Sequence, residues 1–188
     1  MIEFSEWPKI ARWNRDVIIT EKLDGTNAAV VIDEEGNIGA QSRKRLITPE
    51  DDNHGFAAWV HENADALRNV LGPGRHFGEW WGHGINRGYG CERGDRTFSL
   101  FNVKRWDDQY DSETWPHGLS IVPVLHWGKF TTDLIDSVLL DLRMHGSFAV
   151  FGYNRPEGIV IYHTAANEMF KVTLENDEAP KSAFVKAA

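Results

Sequence analysis

The chain has 188 residues, 41% of them hydrophobic and 26% charged, with 20 basic against 28 acidic side chains and a formal net charge of −8. Those proportions exclude a wholly disordered or collagen-like chain, and the length fits one domain over residues 1–188 that buries its own core. An acidic balance argues against a protein that coats nucleic acid by charge alone, and the single Cys91 excludes an internal disulfide or a thiolate metal cage.

Residues 1–6 lack a basic region followed by an apolar core, and no run approaches the roughly 18 apolar residues that cross a bilayer, so the expectation is a cytoplasmic protein with no membrane partner. Residues 17–22 and 27–33 are β-rich runs. Glu34, Glu35, Gly36 and Asn37 supply a turn, and 38–42 returns as the next strand. Phe56, Val60, Ala64, Leu67 and Leu71 recur at helical spacing until Gly72-Pro73-Gly74 stops the pattern. Residues 76–80, 97–104 and 120–126 read as strands. A second helix is predicted over 131–145, with Leu134, Ile135, Val138, Leu139 and Leu142 as its buried stripe and Gly146 after it. Strands over 158–163 and 168–173 complete the pattern. Many strands with only two helices, not alternating with them, indicate an α+β domain built on antiparallel sheet.

Several features carry little chemistry alone. Arg43-Lys44-Arg45, the arginines at 87, 93 and 96, and Lys104-Arg105 either line a cationic groove or are solvated loop charges. The eight tryptophans belong mostly to core and sheet edges, with one or two available as base-stacking platforms. The glycine-rich stretch 82–90 contains neither a P-loop nor a dinucleotide fingerprint, and His83 with Cys91 is a poor metal pair.

The informative stretch is Thr20-Glu21-Lys22-Leu23-Asp24-Gly25-Thr26-Asn27. It sets a lysine at the end of an apolar strand, before a turn, which presents an amine rigidly beside backbone donors. A nucleophilic lysine must be unprotonated against a reference pKa of about 10.4. Burial, a neighbouring cation or a metal supplies the shift. On its own, Lys-x-Asp-Gly is equally a hairpin whose Asp-Gly satisfies turn chemistry.

The stretch resembles motif I of the covalent nucleotidyltransferases (ATP-dependent DNA ligases, RNA ligases and mRNA capping enzymes), and is most similar to the phage-type RNA ligase two family. Further motifs follow in that family's order. Ser42-Arg43-Lys44-Arg45 resembles motif Ia, Phe77-Gly78-Glu79-Trp80-Trp81-Gly82 motif III, and Phe98-Ser99-Leu100-Phe101-Asn102 motif IIIa, with Asn102 where an acidic residue is usual. Glu157-Gly158-Ile159-Val160 resembles motif IV, and Phe170-Lys171-Val172-Thr173 motif V, with Thr173 in place of its second lysine. The glycine-rich loop behind motif III also looks like the family's.

The resemblance implies an antiparallel, ATP-grasp-like ligase adenylation domain and an ATP-dependent RNA ligase of phage type that acts in RNA repair. It joins 5′-phosphate to 3′-hydroxyl RNA ends, in nicked duplex or single strands, through AMP carried on Lys22. Lys22, Glu157 and Lys171 are the implied catalytic residues. Glu157 also holds Mg²⁺ or Mn²⁺. Asn27 orients a metal-bound water, and Glu79 accepts from a ribose hydroxyl. Phe101 and Val160 pack on the two faces of adenine, and Glu21 reads its edge mostly through backbone. Arg43 holds ribose or a nucleic-acid phosphate.

Taken singly, Phe101 and Val160 equally fit core positions, Glu157 after Pro156 a solvent-facing turn, and Lys171 an edge-strand charge. Only 15 residues follow Thr173, so no appended OB-fold is expected, and sealing is then slow, narrow in substrate or dependent on an accessory protein. Arg43, Lys44, Lys181 or Lys186 are the cations available to replace the missing lysine. A DNA-nick ligase, a module that binds nucleotide or RNA without ligation, and a GTP-using capping enzyme remain the alternatives.

Overall fold

A computed structural model describes residues 2–178. It has two sheets packed face to face. Strands β1 (Asp16–Lys22), β8 (Val124–Lys129), β9 (Gly158–His163) and β10 (Glu168–Thr173) form an antiparallel sheet in the order β10-β9-β1-β8. The second sheet, in the order β4-β3-β2-β5-β6-β7, contains β2 (Thr26–Ile32), β3 (Ile38–Ser42), β4 (Leu46–Ile47), β5 (Gly74–Gly82), β6 (Arg96–Leu100) and β7 (Leu119–Ile121). All its pairs are antiparallel except β6 with β7. The α+β class with antiparallel sheets therefore holds.

Alternation along the strands decides which side chains meet. Val17 and Ile19 of β1, with Ile159 and Ile161 of β9, pack under helix α4 (Leu134–His145) through Val138 and Leu142. Ala28, Val30, Ile32, Trp80, Phe98 and Leu100 pack under helices α1 (Phe56–Glu62) and α2 (Ala64–Leu71). The opposite faces of the two sheets meet through Ile18, Leu23, Trp81, Tyr89 and Val122. The result is a helix–sheet–sheet–helix stack, in which each fully buried aliphatic or aromatic side chain contributes roughly 1.5–3 kcal/mol. Among the described residues no helix is long and apolar enough to cross a membrane.

Three predicted elements differ. The helix expected across 56–71 breaks at Asn63, whose side-chain amide donates to Trp59 O at 2.9 Å and whose backbone leaves the helical region. The strand expected over 97–104 ends at Leu100, and the chain turns into the short helix α3 (Val103–Trp106), capped by Asn102 accepting from Arg105 N. The strand expected over 120–126 is two strands in different sheets, divided at Val122 and Pro123 where the chain crosses between them. Proline donates no ladder hydrogen bond, which suits that crossing.

Candidate active site

Two of the expected catalytic residues touch. Lys22 closes β1 and pairs in register with Gly158, the first residue of β9. Glu157 directly precedes that glycine, and Lys22 Nζ donates to its Oε2 at 2.6 Å. Glu157 is only 2% exposed, so the turn after Pro156 buries its carboxylate. The register leaves no room for a side chain at 158, since a Cβ there stands 2.1 Å from Val172 O.

The rest of the cleft follows from register. Thr20, Val160 and Lys171 form one transverse row, and Lys22, Gly158 and Thr173 the next row on the same face. Neighbouring strands lie roughly 4.8 Å apart, so Lys171 emerges one strand beyond Val160 on the face that presents Lys22. Lys171 is exposed on the edge strand and Val160 half-buried. Thr173, where motif V expects its second lysine, donates through both backbone N and Oγ1 to Asp177 Oδ1 at 2.7 and 3.1 Å. Lys181 and Lys186 lie outside the described residues.

Glu79 enters from the other sheet. It pairs across β2 with Asn27, accepts from Asn27 Nδ2 at 2.9 Å and from Gly25 N at 3.0 Å, and is 8% exposed. Burial pushes its carboxyl up to about 7. Lys22 and the Gly25 amide pull it down, while Glu157 and Asp24 push it further up. Lys22, Glu79 and Glu157 are thus one electrostatic cluster brought together by the end of β1, the interior of β5 and the residue before β9. Gly25 makes the approach feasible, because a Cβ at 25 meets Trp80 O at 2.3 Å and Trp81 Cβ at 2.7 Å.

The remaining expected residues surround this cluster. Phe101 follows β6 on the cleft side, 41% exposed, with its N donating to Phe77 O at 3.0 Å, so it is not a core residue. Glu21 points the opposite way from Lys22. Its buried carboxylate accepts from Phe148 N and Ala149 N at 2.8 and 3.1 Å, and its own N donates to Pro123 O. Burial raises this carboxyl, with Ser147, Phe148 and Ala149 opposing through hydrogen bonds. Any part Glu21 plays in the cleft therefore passes through its backbone. Arg43 is exposed in the turn after β3, one residue past the Ala28–Ser42 pair and so at the mouth beside Asn27.

Three of the clustered arginines are engaged by neighbouring groups. Arg96 donates to His83 O and His54 O, Arg105 donates to Leu71 O and lies over the Trp106 ring, and Arg45 clasps Asp51. A cavity of about 290 Å³ lies behind Trp81, lined also by Thr97, Tyr110, Trp115, Ser120 and Ala149, and includes none of Lys22, Glu79 and Glu157.

Sequence reasoning left the glycine-rich loop without a task, yet it buttresses motif I. Asn86 Nδ2 donates to Asp24 Oδ1 and Gly25 O at 3.1 and 2.6 Å. Arg87 Nε donates to Asp24 Oδ2 at 3.1 Å, and Asp24 N donates to the hydroxyl of fully buried Tyr89 at 3.0 Å. The available signal was a tyrosine and two polar residues set among glycines, a composition that a mere solvent loop does not need.

A protein-family model described as RNA ligase matches residues 15–173. No curated protein matches the chain. Among solved structures, the Naegleria gruberi RNA ligase is similar in several mutant forms. One with AMP and Mn gives a TM-score of 0.60 at 19% identity, covering 86% of this chain and 50% of that one. One with ATP and Mn gives 0.62 at 19% identity, covering 87% and 51%. This chain spans about half the length of those proteins, and at such identity the likeness establishes a shared fold.

Proposed function

Since the chain belongs to the RNA ligase family, matched over residues 15–173, we propose that it is an ATP-dependent RNA ligase that joins 5′-phosphate to 3′-hydroxyl RNA ends through AMP carried on Lys22. The observation that carries this reading is the Lys22 amine held at 2.6 Å by buried Glu157, in the cleft that also holds Glu79. In the first step the deprotonated amine attacks the α-phosphorus of ATP, a P–N bond forms, and the P–O bond to pyrophosphate breaks. Glu157 Oε2 is placed to take the proton from Nζ. Next, an oxygen of the RNA 5′-phosphate attacks the carried AMP, forming a phosphoanhydride and releasing the amine. The 3′-hydroxyl then attacks the 5′-phosphate, closing a phosphodiester and expelling AMP.

The surrounding residues fit these steps. Phe101 and Val160 enclose adenine, Glu79 and Asn27 face the ribose, and Glu21 meets the base edge through backbone. Lys171 sets positive charge toward the α-phosphate, and Arg43 serves the nucleic-acid phosphate at the mouth. Among the described residues no three His, Cys, Asp or Glu side chains converge on a metal. Mg²⁺ or Mn²⁺, which keep waters and take phosphate oxygens, need only one or two carboxylates, and the hard oxygens of Glu157 suit them. Held there, such a cation would withdraw charge from the phosphate. We extend the reading to a phage-type adenylation domain acting in RNA repair in a bacterial cytoplasm.

Intact mass after incubation with ATP and Mg²⁺ or Mn²⁺ tests the first step. The expected result is one AMP adduct, lost in Lys22→Ala; no adduct with either metal overturns the reading. Faster sealing of nicks with an RNA than a DNA 3′ strand supports the RNA assignment, and equal rates remove it. One observation favours binding without ligation: Thr173, bound to Asp177, supplies no second cation. Saturable ATP binding with neither adduct nor joined product selects that reading.

A further inference from the structure

The structure assigns a second task to the glycine-rich loop: we propose that Arg87 is a positioning residue for nucleotidyl transfer, clasping the three segments that carry Lys22, Glu157 and Lys171. The proposal rests on the reading of Lys22 given above. Arg87 Nε donates to Asp24 Oδ2 at 3.1 Å, Nη1 donates to Arg155 O at 3.1 Å, and Nη2 lies 3.6 Å from Glu175 Oε2. Asp24 is two residues after Lys22, Arg155 two before Glu157, and Glu175 two after Thr173, which shares a transverse row with Lys22.

Each contact therefore falls just outside a strand end that carries a member of the cleft. Strand ends are where a ladder gives out, and a planar guanidinium with donors in fixed directions can hold three such ends in one geometry. A lysine offers a compact charge on a flexible stem, with three donors that rotate freely and fix no geometry between partners. Arg87 is itself held from below, since the loop it rides on places the Tyr89 hydroxyl against Asp24 N. The side chains of Arg87 and Asp24 are 23% and 11% exposed, so water competes little for their contact. A transfer step is sensitive to misplacement of a nucleophile by a fraction of a bond length, whereas ATP binding on Phe101, Val160 and Glu79 does not pass through Arg87.

The test is the single-turnover rate of AMP transfer to the protein as a function of ATP, read by intact mass, for wild type, Arg87→Lys, Arg87→Ala, Asp24→Asn and the Arg87→Lys/Asp24→Asn pair. Arg87→Lys is expected to lower the maximal rate about tenfold or more while half-saturating ATP moves less than about threefold, the split that marks loss of positioning. The pair is expected to be no more than about twofold slower than its slower single variant, because both changes remove the same contact. Wild-type maximal rate in Arg87→Lys overturns the proposal, as does multiplicative loss in the pair or a rate loss matched by equal loss of ATP affinity. If Arg87→Ala does not fold, Arg87→Lys and Asp24→Asn decide alone. A wild type that forms no adduct overturns the reading of Lys22 and this proposal with it, whereas a wild-type adduct with an indifferent Arg87→Lys overturns only the latter.

Discussion

Lys22 and Glu157, 135 residues apart in the chain, are joined by a 2.6 Å hydrogen bond between amine and carboxylate. The contact is a product of register, because Lys22 pairs with Gly158 and faces away from the core under α4. A slip of one residue between β1 and β9 turns the amine to the opposite face, where Glu21 meets Phe148 N and Ala149 N.

Glu157→Gln keeps the shape of that partner and removes its charge. The rate of AMP transfer to Lys22 is expected to fall roughly 10- to 100-fold, since the proposed proton acceptor and the proposed metal-binding carboxylate are lost together. Single-turnover mass measurement at saturating ATP checks this; an unchanged rate shows that Glu157 takes no part in the step.

Gly25→Ala places a methyl group 2.3 Å from Trp80 O and 2.7 Å from Trp81 Cβ. Both neighbours are buried in β5 and cannot yield cheaply. The variant is expected to lose about 1–3 kcal/mol of stability, or roughly 2–10 °C in Tm for a chain of this size. Calorimetry at neutral pH measures it, and a shift within error means that β5 moves away without cost.

Glu79 makes stability depend on pH. Its carboxyl is raised by burial from 4.5 to about 7, so over that window the folded state binds more proton than the unfolded one. Its contribution is fully present below about 4.5 and is lost as pH rises through about 7. Glu79→Gln removes this dependence. The stability difference between variant and wild type is therefore expected to move in the variant's favour from pH 5 to pH 7, at no more than about 1.4 kcal/mol per pH unit. Urea melts at four pH values decide, and a constant difference means that Glu79 titrates at an ordinary carboxylate pKa.

Phe101 and Phe98 are expected to separate binding from folding. Phe98 is fully buried among Phe56, Trp59 and the strand core, whereas Phe101 is 41% exposed at the cleft. Phe98→Ala is expected to cost about 3–5 kcal/mol of stability. Phe101→Ala is expected to leave Tm nearly unchanged and to weaken ATP binding by about 1–3 kcal/mol, as loss of a base-stacking face does. ATP titration followed by tryptophan fluorescence checks the second; unaltered affinity rules out stacking at position 101.

What the sequence made legible was the order of the strands and the segments bearing Lys22, Glu79 and Glu157, because alternation and short motifs are local properties. The burial of Glu157 was not legible. Pro156-Glu157 reads as an exposed turn, and only the pairing of Lys22 with Gly158 turns the carboxylate inward. The passage of 120–126 from one sheet to the other was hidden for a similar reason, since apolar alternation continues through Val122 and nothing local marks a change of partner. Arg87 and Asp24, 63 residues apart, were each unremarkable alone, and their role follows only from the loop that brings them together.

The chain passes between the sheets beside Lys22 at two places, along Leu23–Gly25 and at Val122–Pro123, and the Glu21 amide ties the second to the first through Pro123 O. These two crossings act as the spine of a folded card. Lys22 is the last residue of its own sheet before the chain enters the other, so its amine sits where the two sheets are covalently joined.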